Sequence, residues 1–133
     1  MLQLLGFVID CPNALLLATF YAGVSGCALM DGSDEASAGI HVGPAGLTFQ
    51  RVPDYQPPGW PDGQGTKRYH LDFEVDEIDS EHQRVLGLGA TLQTDHVGLD
   101  GYGWRVYTDP AGHPFCLCRH REVTWAEGKV TRS

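Results

Sequence analysis

Apolar positions along the chain alternate between two spacings, and the alternation occurs twice. Residues 3–9 carry Leu4, Leu5, Phe7, Val8 and Ile9, and read as a strand with both faces largely buried. Cys11-Pro12-Asn13 breaks that run. Asn13 suits the N-cap of a helix from Ala14 to Val24, where Leu17, Ala18, Tyr21 and Val24 fall on one stripe. Gly23 and Gly26 suit its end. Short strands are expected at 26–30, 38–43 and 46–52, the last two joined by the turn Gly43-Pro44-Ala45-Gly46.

The stretch 53–67 is rich in Pro and Gly and cannot hold a helix or a central strand. The first pattern then returns. In Tyr69-His70-Leu71-Asp72-Phe73-Glu74-Val75, His70, Asp72 and Glu74 take one face and Leu71, Phe73 and Val75 the other. Asp76 and Asp79 resemble a capping arrangement. The helix after them runs to about Leu88, with Ile78, His82, Val85 and Leu86 inward and Gly87 and Gly89 near its end. Strands at 90–94, 104–108 and 114–119 follow, the last two linked by the turn Asp109-Pro110-Ala111-Gly112-His113. The halves superpose in pattern: Phe7-Val8-Ile9-Asp10 answers Phe73-Glu74-Val75-Asp76, and each is followed by a helix, a small-residue turn and closing strands.

This predicts an α+β fold of two tandem βαβββ modules. Module one covers about 2–52, a Pro-rich connector 53–67, and module two about 68–120. Together they make a single domain over 1–121, with 122–133 as a C-terminal tail. The 133 residues are enough for a real core.

Charge and cysteine use narrow the function classes. A net charge of -8, with no basic stripe, argues against nucleic acid and anionic membrane, which are bound through Lys and Arg. The N-terminal apolar run has no basic flank and is ended by Asp10, too short for a signal peptide or a span. Cys11, Cys27, Cys116 and Cys118 show no zinc-knuckle spacing and are expected as reduced thiols in a cytoplasmic protein.

Several pieces resemble the glyoxalase/bleomycin-resistance/dioxygenase (vicinal oxygen chelate) superfamily. They are Phe7-Val8-Ile9-Asp10-Cys11-Pro12 with Phe20-Tyr21, His70 through Asp76, Leu86-Gly87-Leu88-Gly89-Ala90, and Asp109 through Phe115. The resemblance implies that the modules curl their mixed sheets into a cup with the helices outside. It implies four metal-ligand positions in metal-dependent members, matched here by Gln3, Gln50, His70 and Cys116. Only His70 has the usual identity. One imidazole, one possible thiolate and two amides are a poor donor set for a catalytic dication.

The expectation is therefore a protein that binds a small, apolar or aromatic molecule in the cup, without a complete catalytic metal site and without a cofactor. The competing expectation is a metal-dependent lyase, isomerase or dioxygenase, with a divalent ion at an atypical site centred on His70. Gln50, His70, Trp104, Cys116 and Trp60 are the candidate ligand-binding residues. Each has a plainer role available: a half-buried strand polar group for His70, small core residues for Cys116 and Cys118, core packing for Trp104, and a loop anchor for Trp60. Of Gln50 and its strand neighbour Arg51, at most one lines the cup. His113 reads as structural, and His41, His82, His96 and His120 have no constellation around them. Gly101-x-Gly103 opens no helix and so is not a phosphate loop. The resemblance also implies a homodimer.

Overall fold

In the computed structural model, which describes residues 1–43, 45–58, 69–126 and 129–132, the chain divides into two compact units, Met1–Pro58 and Gly59–Ser133. The boundary falls inside the Pro-rich connector.

The first unit contains β1 (Gly6–Cys11), α1 (Ala14–Ser25), β2 (Ser37–Val42) and β3 (Ala45–Arg51). β3 is central, parallel to β1 and antiparallel to β2. Asn13 caps α1, its side chain accepting the Leu16 N–H at 3.1 Å. Gly26 closes the helix at φ 74° and donates its N–H to the Ala22 carbonyl. The expected stripe of Leu17, Ala18, Tyr21 and Val24 is buried. Tyr21 stacks on Phe49 of β3 at 5.5 Å, which fixes the sheet face that α1 covers. Each large side chain of that stripe contributes roughly 1.5–3 kcal/mol by leaving water.

Two expectations for this unit are corrected. The first strand begins at Gly6 rather than at residue 3, and its faces are not both buried: Phe7 and Val8 are 54% and 66% exposed, because β1 is an edge strand of its three-stranded sheet. No strand forms over 26–30 beyond a single bridge between Leu29 and Ile40. Ser33 takes the ladder's place there, its Oγ donating to the Met30 carbonyl and accepting the Gly39 N–H.

The second unit is the fuller copy: β4 (Leu71–Glu74), α2 (Ile78–Leu88), β5 (Thr91–Asp95), β6 (Gly103–Thr108) and β7 (Pro114–Arg119), in sheet order β4-β7-β6-β5. β4 runs parallel to β7 and the other neighbours are antiparallel. Tyr107 and Phe115 stack at 5.3 Å, with Phe73 edge-on to Phe115. His82 of α2 meets the Tyr107 hydroxyl at 2.7 Å, so α2 covers this face. Burial pushes the Tyr107 phenol up to about 12.

Ile78 and Val85 are buried as expected, but Leu86 is 36% exposed, at the edge of the helix stripe. The capping arrangement of Asp76 with Asp79 does not form. Glu77 is the N-cap, without a side-chain hydrogen bond. The Asp79 carboxylate instead accepts from Arg105 of β6 at 3.0 Å, while remaining in the first turn, where a negative charge suits the helix dipole. The segment expected as a tail contains a hairpin, β8 (Val123–Ala126) with β9 (Lys129–Arg132). Each unit is thus a βαβββ-like module with a mixed sheet and one helix packed on it. No helix among the described residues is long and apolar enough to cross a membrane.

Candidate functional site

With α2 on one face of the second sheet, alternation sends the other side chains to the opposite face. Asp72 and Glu74 of β4, Cys116 and Cys118 of β7, and Trp104 and Val106 of β6 share it, in the register pairs Asp72–Cys116, Glu74–Cys118, Val106–Cys116 and Trp104–Cys118. His70, just before β4, joins them. A hollow of about 250 Å³ on this face is lined by His70, Asp72, Trp104, Cys116, Cys118 and His120. The thiols form its buried floor, at 2% and 4% exposure.

Polar groups ring that floor. His70 Nε2 lies 3.2 Å from Asp72 Oδ1. The donor atoms of His70, Asp72 and Cys116 all lie within 4.8 Å of one another. Burial, with Asp72, Cys116 and Glu74 alongside, pushes the Cys118 thiol up to about 12, so Cys118 is a neutral thiol at neutral pH and a poor nucleophile. At the far end Glu74 accepts twice from His120, from the backbone N–H at 2.7 Å and from Nδ1 at 2.6 Å. His120 also lines the hollow.

Trp104 is 43% exposed and stacks on His96 at 4.9 Å. Its position depends on Gly103, at φ 132°, where a Cβ would overlap the His96 carbonyl oxygen. Only glycine satisfies both conditions. Beside the hollow, Tyr102 packs against the guanidinium groups of Arg119 and Arg121 at 4.4 and 4.2 Å.

The structure therefore gathers His70, Trp104 and Cys116 at one hollow. Gln3 and Gln50 belong to the other unit. Gln3 precedes β1 and is exposed. Gln50 is exposed on β3, on the sheet face away from α1, paired in register with Asp10 and Ser37. Trp60 lies outside the described residues. Three histidines have the company that sequence did not show: His120 with Glu74, His82 with Tyr107, and His96 with Trp104. Asp72 was visible on His70's strand face, but its place opposite Cys116 needed the β4–β7 pairing, which no local pattern encodes.

The metal of metal-dependent relatives can be tested against these side chains. Gln3 and Gln50 offer only neutral amide oxygens and do not fit such an ion. His70 and Cys116 offer donors that do, and Asp72 adds a carboxylate beside them.

The fold recurs in solved structures. A glyoxalase/bleomycin resistance protein/dioxygenase family enzyme from Burkholderia phytofirmans is 19% identical with a TM-score of 0.69, over 89% of this chain and 98% of that one. A glyoxalase-related enzyme from Fulvimarina pelagi is 18% identical with a TM-score of 0.68, over 98% of each. A genomically encoded fosfomycin resistance protein from Listeria monocytogenes is 14% identical with a TM-score of 0.66, over 90% of this chain and 92% of that one. At these identities the likeness is one of fold alone. No curated protein matches the chain. A family model described as a glyoxalase-like domain matches residues 6–118, and the chain therefore belongs to the glyoxalase-like domain family.

Proposed function

We propose that this protein binds a small, apolar or aromatic molecule against the open face of the module-two sheet, without the complete four-position metal site of catalytic relatives. The observation that carries the reading is the hollow beside Trp104: a half-exposed indole, an apolar floor of buried thiols, and a few convergent polar groups at His70, Asp72 and His120. Small-molecule sites have this mixed composition, although they usually start at about 300 Å³. At about 250 Å³ the hollow favours a compact ligand, about one ring in size. Two amides at Gln3 and Gln50 support the reading that the usual metal chemistry is not what this chain performs. Its cysteines, Cys11, Cys27, Cys116 and Cys118, are thiols outside any disulfide, which suits a reducing compartment such as the cytoplasm. A homodimer completes the proposal.

The test is calorimetric titration of chelator-treated protein with a panel of single-ring aromatic molecules, alongside the Trp104→Ala variant. At least one compound is expected to bind, and truncating Trp104 is expected to weaken it by about 1–3 kcal/mol, the value of a good aromatic stack. A panel that binds nowhere, or a ligand indifferent to Trp104→Ala, would remove this reading.

A further inference from the structure

We infer that a second cleft of the same unit binds a small zwitterion of the amino-acid class, with Arg119 taking its carboxylate and Asp76 its ammonium group. The cleft meets the hollow of the proposed function at His120, which lines both. It is a site in its own right, and nothing about it requires a ligand in the hollow.

The strand order places the two charged groups. The cleft has a volume of about 370 Å³, within the range of small-molecule sites, which starts at about 300 Å³. Arg119 is the last residue of β7, and its register partner is Gly103, the first residue of β6. Tyr102 therefore stands beside it, and the Arg119 guanidinium lies over the Tyr102 ring at 4.4 Å. Gly101 leaves the room for this: a Cβ there would sit 3.1 Å from Arg119 Nη1, at a φ of 85° that L-residues rarely adopt. β4 neighbours β7 on its other edge. Asp76, two residues past the end of β4, thus borders the cleft on the side opposite Tyr102.

The charges along the cleft pair off and leave a remainder. Arg121 also lies over Tyr102, at 4.2 Å, and meets the Asp100 carboxylate. Glu74 accepts from the backbone N–H and the Nδ1 of His120. Among the described residues, neither Arg119 nor Asp76 forms an ion pair, with each other or with a third group. Two guanidinium groups share one ring and one carboxylate answers them, in a chain with 17 acidic and only 9 basic residues. An unanswered cation and an unanswered anion across one cleft are the complement of a carboxylate and an ammonium on one molecule. The guanidinium fork takes a carboxylate through two parallel hydrogen bonds, and Asp76 accepts from the ammonium. Trp125, 39% exposed, and Val123 give the cleft an apolar wall, which suits an apolar or aromatic side chain. A phosphate fits less well, because Asp76 and Glu74 line the same cleft and repel a dianion. The opposing explanation is that Arg119 is a solvated surface cation resting on a ring. That leaves the second guanidinium on the same ring, and the cavity between Arg119 and Asp76, without a reason.

Calorimetric titration of the full-length protein with L-phenylalanine tests the site. 3-Phenylpropionate, which lacks the ammonium group, and 2-phenylethylamine, which lacks the carboxylate, are the controls. L-Phenylalanine is expected to bind at one site, and each control at least about tenfold more weakly, since each forfeits a hydrogen bond to a charged group. Arg119→Met and Asp76→Asn should each weaken L-phenylalanine by at least about tenfold for the same reason. Asp76→Asn is isosteric at an exposed position, so it tests the charge without threatening the fold, and circular dichroism checks both variants. Trp104→Ala, which alters the hollow and not this cleft, should leave L-phenylalanine affinity unchanged. Wild type that does not bind L-phenylalanine overturns the inference. So does a control that binds as well as L-phenylalanine, or wild-type affinity in Arg119→Met or Asp76→Asn. A loss in Trp104→Ala also overturns it, because the ligand would then sit in the hollow. The aromatic panel is read through Trp104→Ala and this titration through Arg119 and Asp76, so either proposal can fail while the other stands.

Discussion

Asp109 is a carboxylate at only 4% exposure, and burying one without partners would cost several kcal/mol. It sits at the β6–β7 turn, where its Oδ1 accepts the N–H groups of Ala111 at 2.8 Å and His113 at 3.0 Å. Its backbone N–H donates to the His113 carbonyl, and its carbonyl accepts from Gly112 at φ 89°. One side chain thus organises the turn that sets β6 and β7 in register, and with them Trp104, Cys116 and Cys118. Asp109→Ala leaves buried amides unpaired, and hydrogen bonds to a charged group contribute about 1.5–3 kcal/mol. The expected loss in denaturant unfolding is about 2–4 kcal/mol. Asp109→Asn keeps an acceptor in place and should lose less than half of that. Equal losses for the two variants would show that charge, not the acceptor, holds the turn.

At the scale of the element, β6 shows how backbone freedom serves the site. Gly103 precedes Trp104 in a conformation that L-residues rarely adopt, directly against the His96 carbonyl oxygen. The Trp104 carbonyl in turn accepts the His96 N–H at 2.9 Å, which holds the two rings in their stack. Gly103→Ala adds both a backbone penalty and a steric one, so it should destabilise by about 1–3 kcal/mol and release the indole. A red-shifted, more quenchable tryptophan emission would report that release, and an unchanged spectrum would count against it. Local pattern supplies the faces of strands and helices but not which strands become neighbours. Alternation placed Asp72 and Glu74 on one face of β4, with His70 just before it, and Cys116 with Cys118 on one face of β7, and those faces are as expected. α1 was legible for a similar reason: Asn13, Gly26 and the stripe between them are local signals. The partnership of Asp72 with Cys116 and of Glu74 with His120 spans 44 and 46 residues, and depends on which strands become neighbours. The strand expected at 26–30 failed because Ser33 met the backbone groups that a ladder would have used, a competition that hydrophobic pattern does not register.

For the whole molecule, the balance is between a strongly acidic surface and an apolar opening segment. Met1, Leu2, Leu4, Leu5, Phe7 and Val8 are all exposed, several by more than 60%, within a stretch that carries no charged side chain before Asp10. These exposed apolar side chains, on β1 and the segment leading into it, are proposed as an interaction site, with a second copy of the chain as the occupant. The net charge of -8 works against that pairing: two copies together carry twice -8, and their repulsion is long-ranged at low ionic strength. At 0.15 M salt the screening length falls to about 8 Å, shorter than the separation of most charges across an interface, while apolar contact is not weakened by salt. Light scattering at micromolar concentration is therefore expected to show a dimer at 0.15 M or above, and a shift toward monomer at about 0.01 M, where screening extends to about 30 Å. Leu5→Glu with Val8→Glu places new charge in the segment and should yield monomer at every salt concentration without loss of helix content. A wild-type monomer at 0.15 M would refute the homodimer. A dimer that ignored both the salt and the paired glutamates would move the interface elsewhere on the molecule.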